Sequence, residues 1–101
     1  MLDRMDWQYD NEFRDLGLKL KPSEYWHRQM YATFQSDLVG MHLIDFLGDG
    51  HVMYASDYPH PDGTWPDSRT FVDEQMAHLP DATRQKILHD NAAGLYRITS
   101  P

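Results

Sequence analysis

Residues 54–68 read YASDYPHPDGTWPDS. A short apolar run, HVMYA at residues 51–55, leads into an aspartate and then into a loop with three prolines, a histidine and a tryptophan. HVMYA is too apolar on both faces for a solvated hairpin and predicts a buried strand. Asp57 then falls at the strand's C-terminal end. In open α/β sheets and in barrels of parallel strands, ligands bind at that end. An ionised carboxylate there can ligate a divalent metal or take a proton from metal-bound water. Pro59, Pro61 and Pro66 stiffen the loop, so Tyr58, His60 and Trp65 can be held over a pocket at little ordering cost. A second reading stays open on these residues alone: Asp57 forms an Asx turn before Tyr58-Pro59, and Trp65 covers the core.

The elements on either side give the order. From Met1 to Leu16, apolar residues at 2, 5, 9, 13 and 16 follow roughly helical spacing, and GLKLKP at residues 17–22 breaks it. Ser23 can cap a short helical turn over 24–27. MYATF at residues 30–34 suits a strand. Asp37 is a candidate N-cap for a helix whose stripe is Val39, Leu43, Phe46 and Leu47, ending at Gly48. After the proline loop, Ser68 can cap a helix carrying Phe71, Val72, Met76 and Leu79. Pro80-Asp81 starts another with Ile87 and Leu88, and Asp90 or Asn91 can cap a last turn ending near Tyr96. Strand, helix, strand, helix is the alternation of parallel strands with covering helices. Two such strands leave both outer edges unpaired, so the sequence predicts part of a larger sheet or barrel.

Composition limits the function classes. The 101 residues are 41% hydrophobic, 13% aromatic and 25% charged, a globular balance. A chain of that size buries roughly two-thirds of its unfolded surface. Nine basic against 16 acidic residues give a net charge of −7, and no basic run exists to displace counterions from phosphates. Nucleic acid and anionic membranes are therefore excluded as partners. The absence of cysteine rules out a disulfide framework and a thiolate metal site. MLDRMDWQYD at the N-terminus lacks the basic and apolar regions of a signal peptide, and a cytoplasmic location is expected. His27, His42, His51, His78 and His89 form no HxH or HExxH pair. Each is expected to be solvated or capping.

Ser56-Asp57-Tyr58-Pro59-His60, with Thr64-Trp65-Pro66 and Ser68 behind it, resembles the last-strand motif of the amidohydrolase-related metal-dependent hydrolases. The branch it is most similar to holds the aminocarboxymuconate-semialdehyde decarboxylase-like enzymes. Pro22 to Tyr25 leading to Thr33-Phe34 resembles the approach to and the body of the seventh strand. Asp37 with Gly40, Leu43 and Gly48 resembles the helix after it. Ile87-Leu88, Asn91-Ala92-Ala93 and Leu95-Tyr96 resemble the closing helix.

The resemblance implies an α/β fold. Residues 1–101 would be the C-terminal portion of a (β/α)₈ barrel, about two β/α units with flanking helices. It also implies a divalent metal, zinc or alternatively manganese, in the full-length protein. Asp57 would be the metal-site and catalytic carboxylate, with Tyr58, His60 and Trp65 against a small carboxylic or aromatic substrate. Hydrolysis and non-oxidative decarboxylation both occur in the family. The family's HxH pair and middle-strand histidines are missing here. The chain is therefore expected to be inactive in isolation, a C-terminal piece that joins the missing part of a barrel or another copy of itself. A non-catalytic interaction module is the alternative.

Overall fold

The computed structural model describes residues 1–99. Its contacts divide the chain into two units, Met1–Tyr31 and the residues from Ala32 onward.

In the first unit, helix α1 spans Leu2–Glu12, a 3-10 turn follows at Arg14–Leu16, and α2 spans Pro22–Gln29. No β-branched residue interrupts the first sixteen positions, which favours the helix. The predicted helical stretch stops short of Leu16 because Phe13 leaves helical geometry at φ −126°. Helix α2 begins with Pro22 at its first position, where no amide proton is needed. Its cap differs from expectation: the Glu24 carboxylate accepts from the Lys21 amide at 2.7 Å, and Ser23 lies inside the helix. Ser23 instead donates from its amide to Asp6 Oδ1 at 2.8 Å, and from its hydroxyl to Asp6 Oδ2. Lys21 Nζ reaches Asp10 at 2.6 Å, and that hydrogen bond holds the Asp10 carboxyl below its ordinary range. The two helices are thus clasped by polar side chains, and no residue of either is buried.

The second unit is a β-α-β arrangement closed by helices. Strand β1 (Ala32–Phe34) pairs in parallel with β2 (Val52–Tyr54), in the register Ala32 to Val52, Thr33 to Met53 and Phe34 to Tyr54. Between them lie α3 (Leu38–His42) and α4 (Ile44–Leu47). Asp37 caps α3 as expected, its Oδ1 accepting from the Gly40 amide at 2.7 Å. Helix α5 (Ser68–Met76) follows the proline loop. Helix α6 (Asp81–Gln85) then runs through a π-helical turn (Lys86–Asp90) into α7 (Asn91–Tyr96) with helical dihedrals at both junctions.

The core of this unit is Met41, Ile44, Val52, Val72, Met76 and Ile87, with Phe34, Leu47, Tyr54 and Leu79 packed on it. The predicted stripe of Val39, Leu43, Phe46 and Leu47 is largely wrong. Val39 and Phe46 are 68% and 77% exposed, whereas Met41 and Ile44 are buried. Leu43, at φ −101° and ψ 14°, breaks the stretch into two short helices. The i, i+3 pair at 41 and 44 then lies in the core with Leu47 packed on it, while Val39, Leu43 and Phe46 are exposed.

Asn91 is no cap. It continues the helix and donates through Nδ2 to the carbonyls of Asp49 (2.7 Å) and Val52 (2.9 Å), tying the closing helix to the entry of β2. At the other end of the sheet, buried Gln75 accepts from the Asp37 amide at 2.9 Å and donates to the Gln35 carbonyl at 3.3 Å. Both C-terminal strand ends are thereby left facing one side, where the proline loop sits.

Candidate active site

β2 ends at Tyr54, and the Ala55 amide donates to Phe34 O at 2.9 Å, the last rung of the ladder. Two residues later the backbone turns sharply. Asp57 takes the left-handed conformation at φ 58°, which costs a non-glycine residue about 1–2 kcal/mol and which aspartate tolerates better than most. Such strain at a strand end is a pointer to function when the surroundings enforce it.

Here they do. The Thr64 amide donates to Ser56 O (3.0 Å), the His60 amide to Asp57 O (2.8 Å), and the Gly63 amide to His60 O (2.9 Å). The loop is therefore closed on itself at its base. The peptide bonds before Pro59 and Pro66 are cis.

Gly63 is where the loop is tightest. A Cβ there would lie 2.7 Å from Ser56 O, 3.0 Å from His60 O and 3.1 Å from Asp57 O. All three are backbone atoms that cannot swing away. Gly63→Ala is expected to destabilise the protein by about 1–3 kcal/mol, the usual cost of overpacking, measured as a lower urea midpoint. An unchanged midpoint would show that the loop is looser than these distances require.

The side chains of the loop point into solvent at its mouth. Asp57 and His60 side chains are 56% and 64% exposed. Among the described residues the Asp57 carboxylate accepts no hydrogen bond, and His60 Nδ1 is 3.7 Å from its Oδ2. The Asx turn left open by the sequence is not formed; the Tyr58 amide lies 3.4 Å from Ser56 Oγ instead. His60 Nδ1 accepts from the Asp62 amide at 3.2 Å, which places the ring proton on Nε2 in that state. Tyr58 and Trp65 meet edge to face, with centroids 5.4 Å apart and planes at 66°. The four residues singled out in the sequence thus form two neighbouring pairs on one loop, a carboxylate with an imidazole and a phenol ring with an indole.

Sequence reasoning missed what lies beneath them. Thr64 is buried at 4% exposure, its hydroxyl 2.6 Å from Tyr54 Oη and 3.0 Å from Ser68 Oγ. Ser68, expected as a cap, is the first residue of α5, and its hydroxyl serves this network. Thr64 and Ser68 stood in the motif read from the sequence, but nothing there joined their hydroxyls to Tyr54.

A carboxylate oxygen free of other partners suits a divalent cation or a proton. Asp57 therefore fits as one ligand, or as a base beside the metal. It does not fit as a whole site: among the described residues no group of three or more His, Asp or Glu could hold a metal ion, and three protein ligands are usual. Within the second unit the other histidines do not gather at Asp57. His42 and His78 stack on each other at 4.0 Å, His89 pairs with Asp90 at 2.8 Å, and His51 stands at the opposite end of β2. No helix among the described residues is long and apolar enough to cross a membrane.

Comparison with known proteins joins this geometry to a family. The family model described as amidohydrolase matches residues 9–98. Among solved structures, the crystal structure of 5-carboxyvanillate decarboxylase from Sphingomonas paucimobilis superposes with a TM-score of 0.77 at 33% sequence identity. That match covers 97% of this chain and 30% of the decarboxylase chain, so the chain spans less than a third of its relative's length. A search of curated proteins gives no match.

Proposed function

Because the chain belongs to the amidohydrolase family, whose parent fold is a TIM barrel and whose members generally use a divalent metal, we propose that it forms one wall of a metal-dependent decarboxylase site, with Asp57 as its metal-site carboxylate. The observation that carries this reading is the Asp57 carboxylate, beside His60 and without a hydrogen bond among the described residues, held in left-handed backbone at the C-terminal end of a parallel strand. The branch proposed is the aminocarboxymuconate-semialdehyde decarboxylase-like one, and the substrate a small aromatic acid. The 5-carboxyvanillate decarboxylase match at 33% identity favours decarboxylation over hydrolysis.

A divalent ion, zinc or manganese, supplies Lewis acidity and holds substrate oxygens when bound. This chain's residues do the rest of what is proposed. Loss of CO₂ leaves an electron pair on a ring carbon, and a proton must replace the carboxylate. In this reading Asp57 carries that proton. Tyr58 and Trp65 present aromatic edges and faces to a planar substrate. His60, with its proton on Nε2, offers a hydrogen bond to a substrate oxygen.

The test uses the full-length protein, supplied with Zn²⁺ or Mn²⁺, and 5-carboxyvanillate as the probe. CO₂ release without any oxidant is expected. Ester or amide hydrolysis with no CO₂ from aromatic acids would contradict the decarboxylase reading and leave a hydrolase.

A second reading has its own observation. The sheet of the described residues has two strands, so each has one unpaired edge. A non-catalytic module that completes a barrel with another chain would use those edges. Sedimentation of the purified chain separates the two, since a compact monomer counts against the module.

A further inference from the structure

We propose that Thr64 is the positioning residue of this site, setting the Asp57 carboxylate and the Trp65 ring together from below; this rests on the reading of Asp57 given above. Thr64 is 4% exposed in a loop whose neighbours from Tyr58 to Asp62 all lie at the surface. Its hydroxyl bridges Tyr54 Oη on β2 (2.6 Å) and Ser68 Oγ at the start of α5 (3.0 Å). Its amide closes the loop on Ser56 O at 3.0 Å, one residue before Asp57. Three elements therefore meet at one side chain: the strand, the loop and the covering helix.

The chemistry is specific to a hydroxyl. It carries one donor and two acceptor sites, so it can serve both neighbours at once. Valine has the same branched shape and neither function. It would leave the Tyr54 and Ser68 hydroxyls facing a methyl group in a buried spot, at a cost that a matched shape does not offset. The Tyr54 end of the chain is itself fixed, because its ring packs edge to face on Phe34 with centroids 5.9 Å apart and planes at 74°. The relay thus begins in the rigid sheet and ends at the helix.

Asp57 depends on it through the backbone. Its carboxylate has no hydrogen bond of its own among the described residues, so the backbone at φ 58° sets where it points. That backbone is pinned on one side by Ser56 O to the Thr64 amide and on the other by Asp57 O to the His60 amide. Trp65 is the next residue after Thr64, and its approach to Tyr58 follows from the same anchor. Thr64 touches no reacting group, so its effect on the site runs through Asp57 and Trp65.

Thr64→Val and Thr64→Ser in the full-length protein test this, read by amide hydrogen exchange, by urea unfolding and by Mn²⁺ titration. In Thr64→Val the Thr64-position and His60 amides are expected to exchange about ten-fold faster, and Mn²⁺ affinity to fall about ten-fold, the low end for groups that orient a ligand. Amides of the Asp81–Tyr96 helix keep their protection, and Thr64→Ser restores both readouts. Unchanged loop exchange with unchanged Mn²⁺ affinity would overturn the proposal. So would a uniform rise in exchange across the whole chain, since that is loss of stability without local aim. Asp57→Asn separates the two layers. If it leaves Mn²⁺ affinity intact, the metal reading of Asp57 falls, while the loop-exchange result for Thr64 still stands or falls by itself.

Discussion

Asp57→Asn is expected to lower turnover of the full-length protein by about three orders of magnitude, within the 10²–10⁴-fold range of a lost acid–base group. Asparagine is the informative replacement. It keeps the size of aspartate and tolerates the left-handed φ of 58°, so the loop backbone is retained. What it removes is the negative charge, and with it both the proton acceptor and the strong metal ligand. Far-UV circular dichroism and the urea midpoint of the variant are expected to match the parent. Alanine at the same position removes the charge and also meets the backbone penalty, so a larger stability loss in Asp57→Ala than in Asp57→Asn would report the strain directly. Full turnover in Asp57→Asn would mean that the carboxylate is not part of the reaction.

The largest stability effect is expected at Met76. Its side chain is fully buried at 0% exposure, in the cluster with Met41, Ile44, Val72 and Ile87 that holds α5 and the closing helix against the sheet. Truncation to alanine removes most of its apolar surface from that cluster and leaves a cavity there. Met76→Ala is expected to cost about 2–5 kcal/mol, the range for large core side chains cut to alanine. Single domains are stable by only about 5–15 kcal/mol, so a loss of that size is a large share of the whole. The contrast is Phe46, a bigger ring at 77% exposure. Phe46→Ala is expected to move stability by no more than about 0.5 kcal/mol. Urea unfolding of both variants checks the pair. Equal effects, or a larger one at Phe46, would place the core on the other face of α3 and α4.

That contrast also marks what the sequence could convey. Two short apolar runs separated by a capped helix and turn residues were enough to predict the parallel strands, because burial on both faces leaves little else for HVMYA to be. Asp37 as a cap and Gly48 as a stop were legible for the same local reasons. The choice between Val39-Phe46 and Met41-Ile44 as the buried face was not. Apolar residues occur all round that segment, and the kink at Leu43 that sets the phase has no signature of its own.

The site divides in the same way. SDYPH and the proline loop announced a special turn, and the exposed residues Asp57, Tyr58, His60 and Trp65 could be picked out by their chemistry. The support beneath them could not. Thr64 and Ser68 could be named as part of the motif but not given a task, because only folding the loop back on β2 brings their hydroxyls to Tyr54. Asp90 or Asn91 reads as a cap because both residue types often are caps, and neither side chain caps the last turn. The partners of Asn91, the carbonyls of Asp49 and Val52, lie about forty positions earlier and carry no mark in the sequence.

Whether Asp57 belongs to a divalent metal centre is decided most directly by metal analysis of the full-length protein and its Asp57→Asn variant. Close to one zinc or manganese ion per chain is expected in the parent, with most of it lost in Asp57→Asn. No bound metal in the parent, or equal metal in both proteins, would contradict the assignment.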